Sequence, residues 1–145
     1  MLRWNCFTPR ADDIVVATTY KAGTTWAQTI VANLIFAGKL PGSIPDLSRW
    51  IDQRIFPLEL VLSRLDRHTH RRAVKTHLPS DGLPFHKNIK YICVGRDPRD
   101  IFMSLRNFCR NFTPEMIGVS NALPGRLGTN CGPVLTTSMG SGATG

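Results

Sequence analysis

The sequence predicts an α/β protein with a parallel sheet flanked by helices, and three observations carry the prediction. Short apolar, β-branched runs recur along the chain, at Ile14-Val15-Val16-Ala17, Ala73-Val74-Lys75-Thr76 and Tyr91-Ile92-Cys93-Val94-Gly95. Segments with helical periodicity separate them, which demands crossover connections and hence parallel strands. Residues suited to anion binding follow two of these runs, where ligands bind in open parallel sheets.

In order, the polar segment from Arg10 leads into Asp13-Ile14-Val15-Val16-Ala17-Thr18-Thr19, the composition of a strand buried on both faces. The chain then breaks into Tyr20-Lys21-Ala22-Gly23-Thr24-Thr25 and resumes with helical spacing. Trp26, Ala27, Ile30, Val31, Leu34 and Ile35 share one face, and Gly38 supplies a stop, so a helix is expected from Thr24 to Ala37. Lys39 to Pro45 carries two prolines and a glycine and reads as a loop, with a short helical turn over residues 46–52. Pro57 opens a further helix on which Leu58, Val61, Leu62 and Leu65 share one side. It ends in the basic cluster Arg64, Arg67, His68, His70, Arg71 and Arg72, where the histidines, like His86 later, are read as solvated. The strand Ala73–Thr76 leads to His77-Leu78-Pro79 and a turn. After Tyr91–Gly95, Asp97 caps a helix with Pro98 at its first position. Ile101, Phe102, Leu105 and Phe108 are expected to form its buried face, and Cys93 to lie in the core.

Strand, glycine-bearing turn and helix start make an anion cradle, because the first amides of a helix lack internal partners and the dipole's positive end faces the ligand. Lys21 adds charge, Gly23 permits close approach, and Thr24 and Thr25 add hydroxyls. The same residues also suit an ordinary strand-to-helix connection with a solvated lysine. A formal charge of +8 across 145 residues implies anionic partners. The basic residues are scattered and form no nucleic-acid recognition motif, which favours a small, highly charged nucleotide. No apolar run is long enough to span a bilayer, and residues 1–6 lack the apolar core of a secretion signal, so a cytoplasmic location is expected. Cys6, Cys93, Cys109 and Cys131 are widely separated, which suggests neither a zinc knuckle nor a redox pair; no metal site is expected.

Three signatures stand in order: Tyr20-Lys21-Ala22-Gly23-Thr24-Thr25-Trp26; Lys75-Thr76-His77-Leu78-Pro79; and Tyr91 to Asp100 with Ser104 in the following helix. In kind, order and spacing they resemble the cytosolic-type sulfotransferases, which use 3′-phosphoadenosine 5′-phosphosulfate (PAPS) as sulfonate donor. The resemblance covers roughly residues 10–110. It implies a P-loop-like three-layer fold and transfer of a sulfonate to a hydroxyl or amine of a small-molecule acceptor, an alcohol, phenol or amine. By the same resemblance, Lys21, Ala22, Gly23, Thr24 and Thr25 form the 5′-phosphosulfate loop, with Lys21 assisting departure at the bridging oxygen. Trp26 stacks on adenine, His77 is the general base, Lys75 points toward the sulfonate, and Arg96 and Ser104 hold the 3′-phosphate.

Two departures accompany the match. Tyr20 stands where many relatives have proline, and the Arg-Lys-Gly segment that closes over the 3′-phosphate has no counterpart. Residues 1–112 are therefore expected to be the N-terminal part of a sulfotransferase domain. Residues 113–145, rich in glycine, serine and threonine toward the end, are expected to be a low-complexity, disordered or aberrant tail. A catalytically inactive fragment that retains partial nucleotide binding is the alternative. A nucleoside-triphosphate kinase fits worse, since a Walker loop places its lysine after the last glycine and Lys21 precedes Gly23.

Overall fold

A computed structural model describes residues 3–122. Its centre is a four-stranded parallel sheet in the order β2-β3-β1-β4, formed by β1 (Ile14–Thr18), β2 (Ser48–Trp50), β3 (Ala73–Thr76) and β4 (Lys90–Val94). The helices are α1 (Thr24–Phe36), α2 (Ile44–Leu47), α3 (Leu58–Asp66), α4 (Pro98–Arg110) and α5 (Pro114–Ala122). The expected α/β class with a parallel sheet is the one found.

Alternation along β1 divides the core. Ile14 and Val16 pack with Ala73, Val31, Ala27 and Ile35, which places α1 on one face. Val15 and Val74 pack with Trp4, Phe7, Ile51, Leu65 and Ile89, which places α3 and the 3-10 turn Trp4–Cys6 on the other. Successive side chains of a strand point to opposite faces, so a run buried throughout needs a cover on both. At the amino ends of the strands Asp13 and Arg72 are 0% and 1% exposed. They form a bidentate pair, Nε to Oδ1 at 2.8 Å and Nη2 to Oδ2 at 2.6 Å. Arg72 also donates to the Thr8 carbonyl and to Asp66, so the buried guanidinium is fully engaged.

Several expectations are corrected. Residues 46–52 do not form one helical turn: α2 ends at Leu47 and the chain then adds β2 to the sheet edge, pairing Ser48, Arg49 and Trp50 with Ala73, Val74 and Lys75. Of the expected face of α1, Trp26, Ile30 and Leu34 are exposed, because the sheet covers only the flank that carries Ala27, Val31 and Ile35. Helix α4 has no buried residue; Phe102, Leu105 and Phe108 are exposed, since α4 follows β4, one of the sheet's two edge strands among the described residues. Cys93 lies on that edge and is exposed rather than in the core. His68, His70 and His86 are not simply solvated. His68 and His70 rings lie 4.6 Å apart, His70 meets Phe36 edge-on, and Nε2 of His86 is buried.

Asp97 caps α4 as expected, its side chain accepting from the Arg99 amide at 2.8 Å. Of the tail expected over 113–145, residues 114–122 form α5, and residues 123–145 lie outside the described residues.

Candidate active site

All four strands run the same way, so their carboxyl ends bring the segments after β1, β2, β3 and β4 to one edge. After β1 the backbone turns through two left-handed positions, Lys21 at φ 62° and Gly23 at φ 103°. The first costs about 1–2 kcal/mol for a residue with a Cβ; the second is where glycine is required. Between them Ala22 is buried and its amide is held by the Thr19 carbonyl at 3.3 Å. Gly23 then caps α1, accepting from the Ala27 amide at 3.0 Å, and the earlier amides of the helix have no intrahelical acceptor. A Cβ built at Gly23 meets nothing within 4 Å, so the space over the loop is open. Left-handed turn, free first-turn amides and open approach together fit a phosphate group.

The loop is tied to the strand beside it. Thr24 is buried, and its hydroxyl lies 2.6 Å from that of Thr18 at the end of β1. Thr18 in turn reaches His77: Nδ1 lies 2.7 Å from the Thr18 carbonyl and 3.4 Å from its hydroxyl. A carbonyl only accepts, so Nδ1 carries the proton and Nε2 of the neutral ring keeps its lone pair. The imidazole stacks on Tyr20, centroids 4.2 Å apart, and meets Trp50 edge-on at 5.0 Å. Burial pushes the His77 pKa below the ordinary 6.5, and the Lys75 charge adds to this; the Thr18 carbonyl and Asp52 oppose it. Lys75 sits over the Trp50 ring, Nζ 4.4 Å from its centroid, and burial lowers its pKa also, against the pull of Asp52.

The side formed by Arg96 and α4 is more open. Arg96, after β4, donates from Nη1 to the Lys21 carbonyl at 3.3 Å, bringing the two expected anion-binding segments into contact. Its Nε lies 3.5 Å from Asp100. The Lys21 ammonium rests 4.5 Å from the Phe108 ring centroid on α4. Ser104 is half-buried on α4, Thr25 is exposed on the first turn of α1, and Trp26 is 77% exposed. Thus Thr24 and His77 are joined through Thr18, and Lys21 is joined to Arg96 through its backbone. Trp26, Thr25 and Ser104 stand apart from these ties, on the helix surfaces that flank the loop.

Sequence reasoning missed Trp50 and Asp52. The indole of Trp50 is a wall shared by Lys75 and His77, and Asp52 holds that indole. Both follow from β2, a three-residue strand with no periodicity to detect.

The family model described as "Sulfotransferase domain" matches residues 11–131. A glycolipid sulfotransferase of Mycobacterium tuberculosis is 47% identical over 105 residues, covering 72% of this chain and 32% of that protein. Human sulfotransferase 1E1 is 33% identical over 109 residues, covering 70% of this chain and 37% of the relative. Among solved structures, mouse sulfotransferase SULT7A1 complexed with PAP superposes with a TM-score of 0.57 at 24% identity, over 74% of this chain and 37% of the other; at that identity the likeness is one of fold. The chain therefore spans about a third of the length of the curated relatives it matches. With most of its length matched by the family model, the chain belongs to the sulfotransferase family.

Proposed function

We propose that this chain carries the donor-binding loop and the proton-accepting base of a sulfotransferase that transfers the sulfonate of PAPS to a hydroxyl or amine of a small molecule. The observation that carries the reading is the chain of contacts Thr24–Thr18–His77, which fixes a helix-start anion cradle relative to an imidazole with a free Nε2. Mouse SULT7A1, solved in complex with PAP, supports the donor class, and the mycobacterial glycolipid sulfotransferase points to a glycolipid hydroxyl as one acceptor to test.

In this reading Lys21, Ala22, Gly23, Thr24 and Thr25 hold the 5′-phosphate end, Trp26 offers its exposed ring to the base, and Arg96 and Ser104 take the 3′-phosphate. PAPS supplies the sulfonate and a phosphate leaving group when bound. His77 takes the acceptor's hydroxyl proton at Nε2 as the new O–S bond forms, and its lowered pKa keeps it neutral at physiological pH. Lys75 and Lys21 place positive charge beside the transferring group and the leaving oxygen, the preorganised stabilisation that a loose, in-line transfer needs. Residues 1–112 are the N-terminal part of the domain in this reading, with 113–145 a separate tail. The free thiols of Cys93 and Cys109, among the described residues, fit the reducing cytoplasm.

The test is PAPS-dependent sulfonation of a panel of phenols, alcohols, amines and a glycolipid. His77→Ala is expected to lower transfer on the order of 10²–10⁴-fold while PAP affinity stays unchanged. Equal loss of both makes His77 structural. One observation favours a second reading, a binding fragment without turnover: Trp26 and the apolar face of α4 stand uncovered among the described residues. PAP binding by the folded chain with no sulfonation of any acceptor selects it.

A further inference from the structure

We infer that Asp52 is the positioning residue of the acceptor side, one carboxylate that fixes both the Trp50 indole and the stretch of main chain carrying His77. The inference rests on the reading of His77 as the base.

Its ground is the place where the β2–β3 ladder runs out. The last strand pair is Trp50 with Lys75, and one further bond, from the Ile51 amide to the Lys75 carbonyl at 3.3 Å, closes the ladder. The next amide on the β3 side that needs a partner is that of His77. Asp52 supplies it, Oδ2 accepting from His77 N at 3.1 Å. The side chain of one strand's extension thus replaces a missing backbone rung. It sets the direction in which the chain leaves β3, before the turn through Leu78, whose amide is bonded to the Thr76 hydroxyl at 3.0 Å.

The same oxygen accepts from Trp50 Nε1 at 2.8 Å, and Oδ1 accepts from Trp4 Nε1 at 3.2 Å. An ionised carboxylate only accepts, and here three neutral N–H donors are directed at it. Among the described residues no cation forms an ion pair with it. Its bonds therefore fix geometry rather than neutralise charge. One consequence is the orientation of the Trp50 ring, against which the Lys75 ammonium rests and the His77 ring stands at 82°. The other is a two-point hold on His77: its amide through Asp52, its Nδ1 through the Thr18 carbonyl. The charged groups that face the imidazole are Lys75 on β3 and Asp52 beyond β2; its other neighbours, Thr18, Tyr20 and Trp50, are neutral.

The experiment uses the full chain, Asp52→Ala and Asp52→Asn, with isotope-edited NMR of the histidine rings and tryptophan indoles and calorimetric titration with PAP. The wild type is expected to show His77 as one tautomer, protonated at Nδ1. In Asp52→Ala the Trp50 indole N–H resonance shifts, the His77 tautomer becomes mixed, and its titration midpoint falls because a negative neighbour is lost while Lys75 remains. PAP affinity stays within about twofold, since the donor loop is untouched. Asp52→Asn keeps the size of the side chain and reads the same quantities should the alanine variant fail to fold. Unchanged His77 tautomer, midpoint and Trp50 resonance in the folded variants overturn the proposal. So does loss of PAP binding in step with them, which makes Asp52 a support of the whole fold. If instead His77→Ala sulfonates as well as the wild type, the base reading fails, and the ring resonances still decide whether Asp52 positions the imidazole.

Discussion

The two sides of the site are held in different ways. Lys75 stands on the inner strand β3 and His77 on its extension, with Trp50 on the edge strand β2 beside them, and Asp52, Thr18 and Tyr20 meet these residues at bonding or ring-contact distance. Arg96, Ser104 and Phe108 stand on and before a helix with no buried residue, beside an edge strand whose Ile92 and Cys93 are exposed. Strand order explains part of the contrast: β1 and β3 have partners on both sides, whereas β4 and β2 are both edge strands among the described residues, and it is Asp52 that ties the β2 end to Trp50 and His77. The proposed acceptor side is thus tied to the inner strands through Lys75 and His77. On the proposed donor side, the loop is tied to the segment from Arg96 through α4 by the Arg96 bond to the Lys21 carbonyl and by the Lys21 ammonium over the Phe108 ring.

The largest effect that can break this contrast lies under the held side. Arg72→Ala leaves Asp13 charged and buried without its partner. A loss of about 3–5 kcal/mol is expected by chemical denaturation, and a loss below about 1 kcal/mol would mean that the pair does not support the sheet. Next comes a matched pair of substitutions. Leu65 is fully buried against Val15 and Val74, so Leu65→Ala is expected to cost about 2–5 kcal/mol. Phe102, 64% exposed on α4, should tolerate serine within about 0.5 kcal/mol. Similar costs at the two positions would show α4 to be packed.

Acid should loosen the held side. Burial lowers the pKa values of both His68 and His77 from 6.5, so unfolding takes up protons in the window beneath that value. Their contribution is present above pH 6.5 and is lost as the pH falls through the folded values. Melting temperature should decline over that window, before most carboxylates titrate, and His77→Ala should flatten part of the decline. A melting temperature that rises on acidification would reverse the sign of the argument.

What the sequence made legible follows from periodicity. β1, α1, β3, β4 and α4 lie within a residue or so of where apolar spacing and capping residues put them, since long patterned segments state their own structure. β2 was hidden because three residues carry no pattern, and with it went Trp50 and Asp52. The partners of Asp52 make the same point: Trp4 is 48 residues away and His77 is 25, a proximity that only tertiary structure creates. Periodicity also names the residues that share a face without saying what covers it. Trp26, Ile30 and Leu34 line up on α1 as expected and still point to solvent. The residues of the proposed donor loop were recognisable from their motif; the tie from Thr24 through Thr18 to His77 was not, because it joins two separate signatures.

The most direct measurement is calorimetric titration of the full chain with PAP and with adenosine 5′-phosphate, for the wild type and for Arg96→Ala. The wild type is expected to bind PAP more tightly, and Arg96→Ala should remove about 1.5–3 kcal/mol of that preference, the worth of a hydrogen bond to a charged group, while leaving adenosine 5′-phosphate binding unchanged. Equal affinity of the wild type for the two nucleotides, or an unaltered preference in Arg96→Ala, would contradict the assignment of the donor site to the strand ends described above.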